Sequence, residues 1–148
     1  AQSSYLVVVI SNQSAINRGL VSQSVVEDIH ARMVRMIHEQ GGRLDHIAYC
    51  PHRPDEACDC RKPKPGLLLR AAKRFHIDLA CSYAIGDARS DVHAAFAAGC
   101  PPVLVLTGRG PSQWPLVQGT YGTRVPAMRS LAEAVNWILP GAPMWSER

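Results

Sequence analysis

The chain reads CPHRPDEACDCRKP from residue 50 to residue 63, where three cysteines and a histidine stand directly before an arginine and a lysine. Zinc favours a tetrahedral set of sulfur and imidazole ligands, which a Cys-x-His pair and a Cys-x-Cys pair supply in full. The predicted zinc ligands are Cys50, His52, Cys58 and Cys60. Because four protein ligands leave no open position, the spacing predicts a structural site that holds the loop carrying Arg61 and Lys62. The alternative is a loop of unrelated cysteines.

The sequence on either side of this loop alternates between predicted strands and predicted helices. Apolar runs predict strands at residues 5–10, 46–49, 82–85 and 102–106. Helices are predicted from a capping box at Ser24–Glu27 to Gly41, from Pro65 through Phe75, from about Ser90 to Gly99, and from a second capping box at Ser130–Glu133. This order predicts an α/β, Rossmann-like fold in which helices cover both faces of a mostly parallel sheet. We expect a single domain over residues 1–139, with the zinc loop at 50–60, and a poorly ordered C-terminal tail at 140–148.

The composition excludes several classes of protein. A length of 148 residues with 47% hydrophobic and 19% charged residues is typical of one globular domain, and no apolar run approaches the roughly 18 residues needed to span a bilayer. Three of the five cysteines cluster beside a histidine, which favours metal binding in a reducing compartment and predicts a cytoplasmic protein. The net charge of +4 comes from scattered basic residues without interleaved aromatic residues, so we expect a small anionic substrate and no nucleic acid.

Three polar groups follow predicted strands, at the edge where parallel α/β sheets carry their sites. They are Ser11-Asn12-Gln13-Ser14, the pair Arg61 and Lys62, and Gly86-Asp87. A hydroxyl with backbone amides, two cations and a carboxylate that can hold Mg²⁺ together predict a phosphoryl site, because phosphoryl transfer depends on positioning and charge neutralisation. Taken separately, the same groups are consistent with a polar turn, a solvated pair of cations and a helix cap.

These motifs together resemble the haloacid dehalogenase (HAD) superfamily, and within it the zinc-containing D-glycero-D-manno-heptose 1,7-bisphosphate phosphatases. The resemblance covers nearly the whole chain and rests on residues 11–14 with 18–19, on 49–52, on 58–66, on Gly86-Asp87 with Asp91, and on Thr107-Gly108. The histidinol-phosphate phosphatases share the zinc loop, but Lys64-Pro65-Gly66 and residues 103–108 look more like the heptose enzymes.

The resemblance implies a role for each matching residue. Ser11 would hydrogen-bond the transferring phosphoryl group, Lys62 would neutralise it and Asp87 would ligate Mg²⁺, so these three are the predicted catalytic residues. Asp91 would support that metal without ligating it directly. Contacts with a small phosphorylated substrate are expected from Asn12, Gln13, Ser14, Arg18 and Arg61. The implied cofactors are Zn²⁺ and, at Asp87, Mg²⁺.

The chain also departs from the family's pattern. These phosphatases open with a strand ending in Asp-x-Asp, whose first carboxylate is the nucleophile and whose second is the general acid, and residues 1–148 contain no such segment. We therefore expect a truncated domain without the usual first central strand. Its flanking strands would either pair with each other or leave a gap that a second copy fills, as a homodimer. Smaller departures are Ala15, Asn17 and Ala88.

Two functions are compatible with this pattern. The first is a metal-dependent phosphoester hydrolase that lacks the aspartate nucleophile and would hydrolyse phosphomonoesters or phosphodiesters with metal-activated water. The second is a non-catalytic remnant of the family that binds phosphorylated ligands or a partner. The presence of the residues on the phosphate side of the site favours the hydrolase.

Overall fold

The computed structural model describes residues 4–139, which form alternating strands and helices. The chain divides into two compact units, and the boundary lies between Arg61 and Lys62. The first unit contains β1 (Val8–Asn12), α1 (Gln23–Glu39), β2 (His46–Cys50) and a 3₁₀ helix (Pro54–Glu56). The second contains α2 (Gly66–Phe75), β3 (Ala84–Gly86), α3 (Arg89–Ala97), β4 (Pro102–Val105), α4 (Gly110–Tyr121), a 3₁₀ helix (Gly122–Arg124), β5 (Ala127–Met128) and α5 (Leu131–Ile138).

The described strands form parallel sheets, as the alternation of strands and helices predicts. In the first unit β1 pairs with β2, and in the second the strand order is β3-β4-β5. The predicted α/β class is therefore confirmed. The strands β1 and β3, which were expected to flank the missing family strand, do not pair with each other and belong to different sheets. The single domain over residues 1–139 stays a prediction, and the predicted tail at 140–148 lies outside the described residues.

Strand β1 lies further along the chain than the apolar run suggests. It begins at Val8 and ends at Asn12, whereas the prediction was residues 5–10. The register with β2 explains the shift, because Val8 is paired with His46 and Asn12 with Cys50, while residues 5–7 remain exposed. Pairing with a neighbouring strand therefore sets the ends of β1, and Ser11 and Asn12 belong to the strand rather than to the loop after it.

The N-cap of helix α1 lies two residues earlier in the chain than predicted. The N-cap is Ser22, whose side chain accepts a hydrogen bond from the Val25 amide at 3.3 Å, so the capping box predicted at Ser24–Glu27 is wrong. Of the 17 residues in α1 only Val26 is buried, and Ile29 is 59% exposed. Within residues 4–139 no helix is both long and apolar enough to cross a bilayer.

Strand β4 forms the centre of the second unit and is buried on both faces. Val103 and Val105 pack against Ala134 of α5, whereas Leu104, which points the opposite way, packs against Val92 of α3 and other residues that include Val117 of α4. Successive side chains of a strand point to opposite faces of the sheet, which explains this alternation. Helices therefore cover both faces of this sheet, as predicted.

Helix α4 was not predicted, because its sequence contains Pro111 and Pro115 and begins at a glycine. Proline has no amide hydrogen to donate, so intrinsic propensity disfavours a helix here. Burial of Val117 in the core, with Trp114 and Tyr121 packed beside it, stabilises the helix nonetheless. Tertiary packing thus outweighs local propensity in this segment.

Candidate functional site

The four predicted zinc ligands lie together in the first unit. One ligand atom from each of Cys50, His52, Cys58 and Cys60 lies within 4.8 Å of all the others. The Sγ atom of Cys60 is 3.1 Å from that of Cys50 and 3.2 Å from Nδ1 of His52. Zinc bonds of about 2.3 Å to sulfur and about 2.0 Å to nitrogen imply separations of roughly 3.5–3.8 Å between tetrahedral ligands. The two Cys60 distances are a few tenths of an ångström shorter than this, so the cluster can hold a zinc ion after a small outward movement of the Cys60 thiol. Its soft donors suit zinc better than magnesium or calcium.

Local structure brings these ligands together from both ends of the loop. Strand β2 ends at Cys50, and the 3₁₀ helix at Pro54–Glu56 then carries the chain outward. Ala57 turns it back toward Cys58 with a φ of +47°, a left-handed conformation that costs an L residue about 1–2 kcal/mol. Cys50 and Cys60 are buried, so the metal site is also the interior of this loop.

The thiols of the cluster differ in acidity. Burial, together with a hydrogen bond to Cys60, raises the pKa of Cys50 to about 12. Burial opposes ionisation of Cys58 as well, but hydrogen bonds from the backbone amides of Arg61 and Cys60 and from neighbouring thiols outweigh it and lower the pKa to about 7. Since zinc binds the thiolate form, metal binding to Cys50 must release a proton that the metal-free protein holds tightly.

The predicted substrate residues at the end of β1 are connected to this metal loop. The backbone amide of Gln13 donates to the Cys50 carbonyl at 2.7 Å, and its side chain donates to Oγ of Ser11 at 2.9 Å. The amide of Arg18 donates to the Ser14 carbonyl at 3.1 Å, which closes a tight turn after β1. Arg61 donates from Nη1 to the His52 carbonyl at 3.1 Å, so its guanidinium braces the metal loop.

The remaining predicted residues lie together in the second unit, at the carboxyl end of β3. The Nζ atom of Lys62 is 2.6 Å from Oδ1 of Asp91, and the two side chains are 18% and 14% exposed. The second oxygen of Asp91 accepts a hydrogen bond from the Ala88 amide at 3.0 Å, which caps α3. Asp87 follows β3 directly, and its Oδ2 accepts a hydrogen bond from the Arg109 amide at 2.9 Å. A lysine and two carboxylates thus gather at the edge where α/β sheets bind ligands.

Two glycines allow these carboxylates to approach the backbone closely. A Cβ atom on Gly86 would lie 2.3 Å from Cβ of Asp91, and one on Gly108 would lie 2.5 Å from Oδ2 of Asp87. Gly108 also has a φ of +58°, which glycine adopts without strain. Sequence reasoning assigned no role to Gly108 or to the Arg109 amide, because their position depends on the unpredicted helix α4. The Thr107-Gly108 pair after β4 was the available signal.

The fold is that of a HAD-like protein, and comparison with known proteins agrees. Residues 59–123 match the family model of HAD-hydrolase-like proteins. A D-glycero-β-D-manno-heptose-1,7-bisphosphate 7-phosphatase from Pseudomonas putida is 47% identical over 110 residues, which cover 74% of this chain and 63% of the relative. The enzyme of the same name from Pseudomonas aeruginosa is 45% identical over 122 residues, covering 81% and 68%.

A solved structure shows the same relationship. The D,D-heptose 1,7-bisphosphate phosphatase of Bordetella bronchiseptica, complexed with magnesium and phosphate, matches with a TM-score of 0.87 and 40% identity, covering 94% of this chain and 76% of that one. The chain therefore belongs to the heptose-bisphosphate phosphatase family of HAD-like hydrolases. It spans about two thirds of the length of the two Pseudomonas relatives, at 63% and 68%.

Proposed function

We propose that this chain is a metal-dependent phosphoester hydrolase that acts on a small phosphorylated sugar. One observation carries the proposal: Nζ of Lys62 lies 2.6 Å from Oδ1 of Asp91, in the helix that follows β3 and Asp87. The relatives are named as phosphatases of a heptose bisphosphate, and one of them was solved with magnesium and phosphate. A cation next to carboxylates is the arrangement that neutralises a transferring phosphoryl group and holds its metal ion.

Each group of residues has a separate task in this proposal. Lys62 neutralises the phosphoryl oxygens, Asp87 ligates Mg²⁺, and Asp91 holds the ammonium of Lys62 in place. Ser11 donates a hydrogen bond to the phosphoryl group. The residues that contact the remainder of the substrate are Asn12, Gln13, Ser14, Arg18 and Arg61. The cluster of Cys50, His52, Cys58 and Cys60 holds a structural zinc.

The nucleophile is the part of the reaction that residues 1–148 do not identify, because they contain no Asp-x-Asp. For these residues we propose that water replaces the carboxylate nucleophile. A bound divalent metal would supply the Lewis acidity that brings the pKa of such a water toward neutrality. The second candidate function is that the same residues bind a phosphorylated ligand without hydrolysing it, since the Lys62–Asp91 pair suits phosphate binding as well as hydrolysis.

Hydrolysis after metal removal and replacement separates these functions. The protein is stripped of metal and assayed with p-nitrophenyl phosphate and bis-p-nitrophenyl phosphate, after adding back Zn²⁺, Mg²⁺ or Mn²⁺. We expect Mg²⁺-dependent hydrolysis of the monoester, reduced at least about tenfold in Asp87→Ala, since the metal ligand is lost. Asp28→Asn, on the exposed surface of α1, is the matched control and should retain full activity.

Inactivity with every metal would reject the hydrolase. Calorimetric titration with inorganic phosphate then decides the second function, since a binding protein should still bind phosphate and lose that binding in Lys62→Ala. A protein that neither hydrolyses the esters nor binds phosphate would contradict both proposals.

We also propose a homodimer and a cytoplasmic location. The described strands form two small sheets, β1-β2 and β3-β4-β5, and the edge of a small sheet is a place where a second chain can add a strand. None of the five cysteines, all within the described residues, forms a disulfide, which suits a reducing compartment. Light scattering across a hundredfold range of concentration tests the dimer, and a monomer mass throughout that range would contradict it.

A further inference from the structure

Two side chains join the loop after β1 to the metal loop within the first unit. Nδ2 of Asn17 donates to both carboxylate oxygens of Glu56, at 3.0 and 3.2 Å. Asn17 lies in the turn that follows β1, and Glu56 ends the 3₁₀ helix between His52 and Cys58. The two residues are 39 positions apart, so neither local segment predicts the contact.

Glu56 is held in place by its own loop. Its carboxylate accepts a hydrogen bond from the backbone amide of Arg53 and lies 3.8 Å from Nε of the same residue. Arg53 and Glu56 both lie in the segment between the predicted metal ligands His52 and Cys58. The Glu56 carboxylate therefore keeps a fixed position only while this segment is fixed. A metal ion bound by the cluster cross-links this loop.

The turn that carries Asn17 is compact and is attached to the metal loop at two points. The amide of Gly19 donates to the Ile16 carbonyl at 2.9 Å, and that of Leu20 donates to the Ala15 carbonyl at 3.0 Å. At its start the Gln13 amide donates to the Cys50 carbonyl, and in its middle Asn17 contacts Glu56. The predicted substrate residues Gln13, Ser14 and Arg18 lie between or next to these two attachments.

We propose that Asn17 and Glu56 are positioning residues that transmit the order of the metal loop to the turn carrying Gln13, Ser14 and Arg18. Metal binding at the cluster therefore orders a substrate-binding turn without contacting the substrate. The substrate-binding part rests on the proposed function, whereas the contact and its dependence on metal do not.

Hydrogen exchange of the full chain tests the proposal without an activity assay. We expect the Arg18, Gly19 and Leu20 amides to exchange slowly in the zinc-loaded protein and faster after chelation. Asn17→Asp places two carboxylates against each other and should raise exchange in the zinc-loaded protein by about tenfold, the scale of a charge-assisted hydrogen bond. Glu56→Gln retains one acceptor oxygen and should have a smaller effect.

The double variant Asn17→Asp with Glu56→Gln provides the decisive comparison. It reverses the donor and the acceptor, because the glutamine amide then donates to the aspartate, and we expect it to restore slow exchange. Asp55→Asn is the matched control, since Asp55 lies in the same 3₁₀ helix but pairs with Arg53. The proposal would be overturned if Asn17→Asp left the exchange rate of the turn amides unchanged. It would also be overturned if the double variant did not restore slow exchange of these amides.

Titration with inorganic phosphate, followed by calorimetry, connects the contact to substrate binding. The dissociation constant should increase several-fold in Asn17→Asp and return to the wild-type value in the double variant. Wild-type protein that does not bind phosphate would reject the proposed function, while the exchange measurements would still decide whether Glu56 orders the turn. Phosphate binding that is equal in all variants, despite altered exchange, would overturn the link to substrate.

Discussion

The two units of this chain differ in what occupies their interiors. In the second unit every residue of β4 is buried, with Leu104 fully inaccessible between helices of the same unit. In the first unit, the buried residues among positions 4–61 are Val26, Cys50 and Cys60. Two of these three are predicted metal ligands. One unit is therefore organised by an apolar core, and the other by a cluster of metal-binding side chains.

The two units are stabilised by different interactions: burial of apolar side chains in the second unit, and metal binding in the first. Burying one large aliphatic side chain contributes about 1.5–3 kcal/mol, so an apolar core stabilises by the sum of many residues. A structural zinc contributes roughly 10–16 kcal/mol in small metal-dependent domains, all of it dependent on one ion and a few ligands. The first unit should therefore be sensitive to metal, and the second unit to changes of volume in its core.

Removal of the metal should have the largest effect. Chelation, or Cys60→Ser in the presence of zinc, should abolish protection of residues 46–61 from hydrogen exchange, because the loop loses its cross-link, while β4 remains protected. Cys81→Ser is the control, since Cys81 is exposed in the second unit. Unchanged exchange of residues 46–61 after chelation would show that the first unit does not depend on metal.

Truncation of the apolar core should have the next largest effect. Leu104→Ala should lower the free energy of unfolding by about 2–5 kcal/mol, because it removes a fully buried side chain and leaves a cavity. Ile29→Ala, on the exposed face of α1, should change it by less than about 0.5 kcal/mol. Denaturation by guanidinium measures both, and similar losses for the two variants would contradict the contrast between the units.

A smaller effect is expected where glycine makes room for Asp87. Gly108→Ala should cost about 1–2 kcal/mol from its left-handed backbone, and additionally displace the carboxylate from the Arg109 amide. Gly99→Ala is a close control in the same unit, since Gly99 has a φ of +72° after α3 and a Cβ atom added there would meet nothing within 4 Å. The difference between the two unfolding free energies measures the Asp87 contact, and equal values would mean that this contact adds nothing.

The Cys100 thiol should make the free energy of unfolding fall gradually as the pH rises. Burial raises the pKa of Cys100 from 9.0 to about 12, whereas the pKa of Cys58 is lowered to about 7. Because the unfolded chain releases the Cys100 proton first, this thiol reduces stability between pH 9 and 12, by about 1.4 kcal/mol per pH unit. Cys100→Ala should remove that part of the alkaline loss. If the free energies of unfolding of wild type and Cys100→Ala fell in parallel above pH 9, this prediction would be contradicted.

Features that depend on nearby residues were predictable from the sequence. The four metal-binding residues lie within eleven positions of one another and converge as expected, although zinc itself stays a prediction. Ser130 caps α5 as predicted, by accepting a hydrogen bond from the Glu133 amide at 3.2 Å. The reciprocal bond differs, since Glu133 accepts from the Arg129 amide rather than from Ser130.

Features that depend on distant partners were not predictable in the same way. The ends of β1 follow its register with β2, and α4 forms against its propensity because Val117 is buried in a core shared with α3, β4 and Val125. The contact between Asn17 and Glu56, and the one between Asp87 and the Arg109 amide, likewise join segments far apart in the chain.

Residue types and their spacing were therefore enough to predict the α/β class, the family and the convergence of Cys50, His52, Cys58 and Cys60. Hydrogen-bonding caps, ligand spacing and apolar periodicity act over a few residues, so they can be recognised in the amino-acid order itself. The ends of β1, the existence of α4 and the placement of Lys62 against Asp91 required the folded chain. These depend on which surfaces meet and exclude water, and that is a property of the packed molecule.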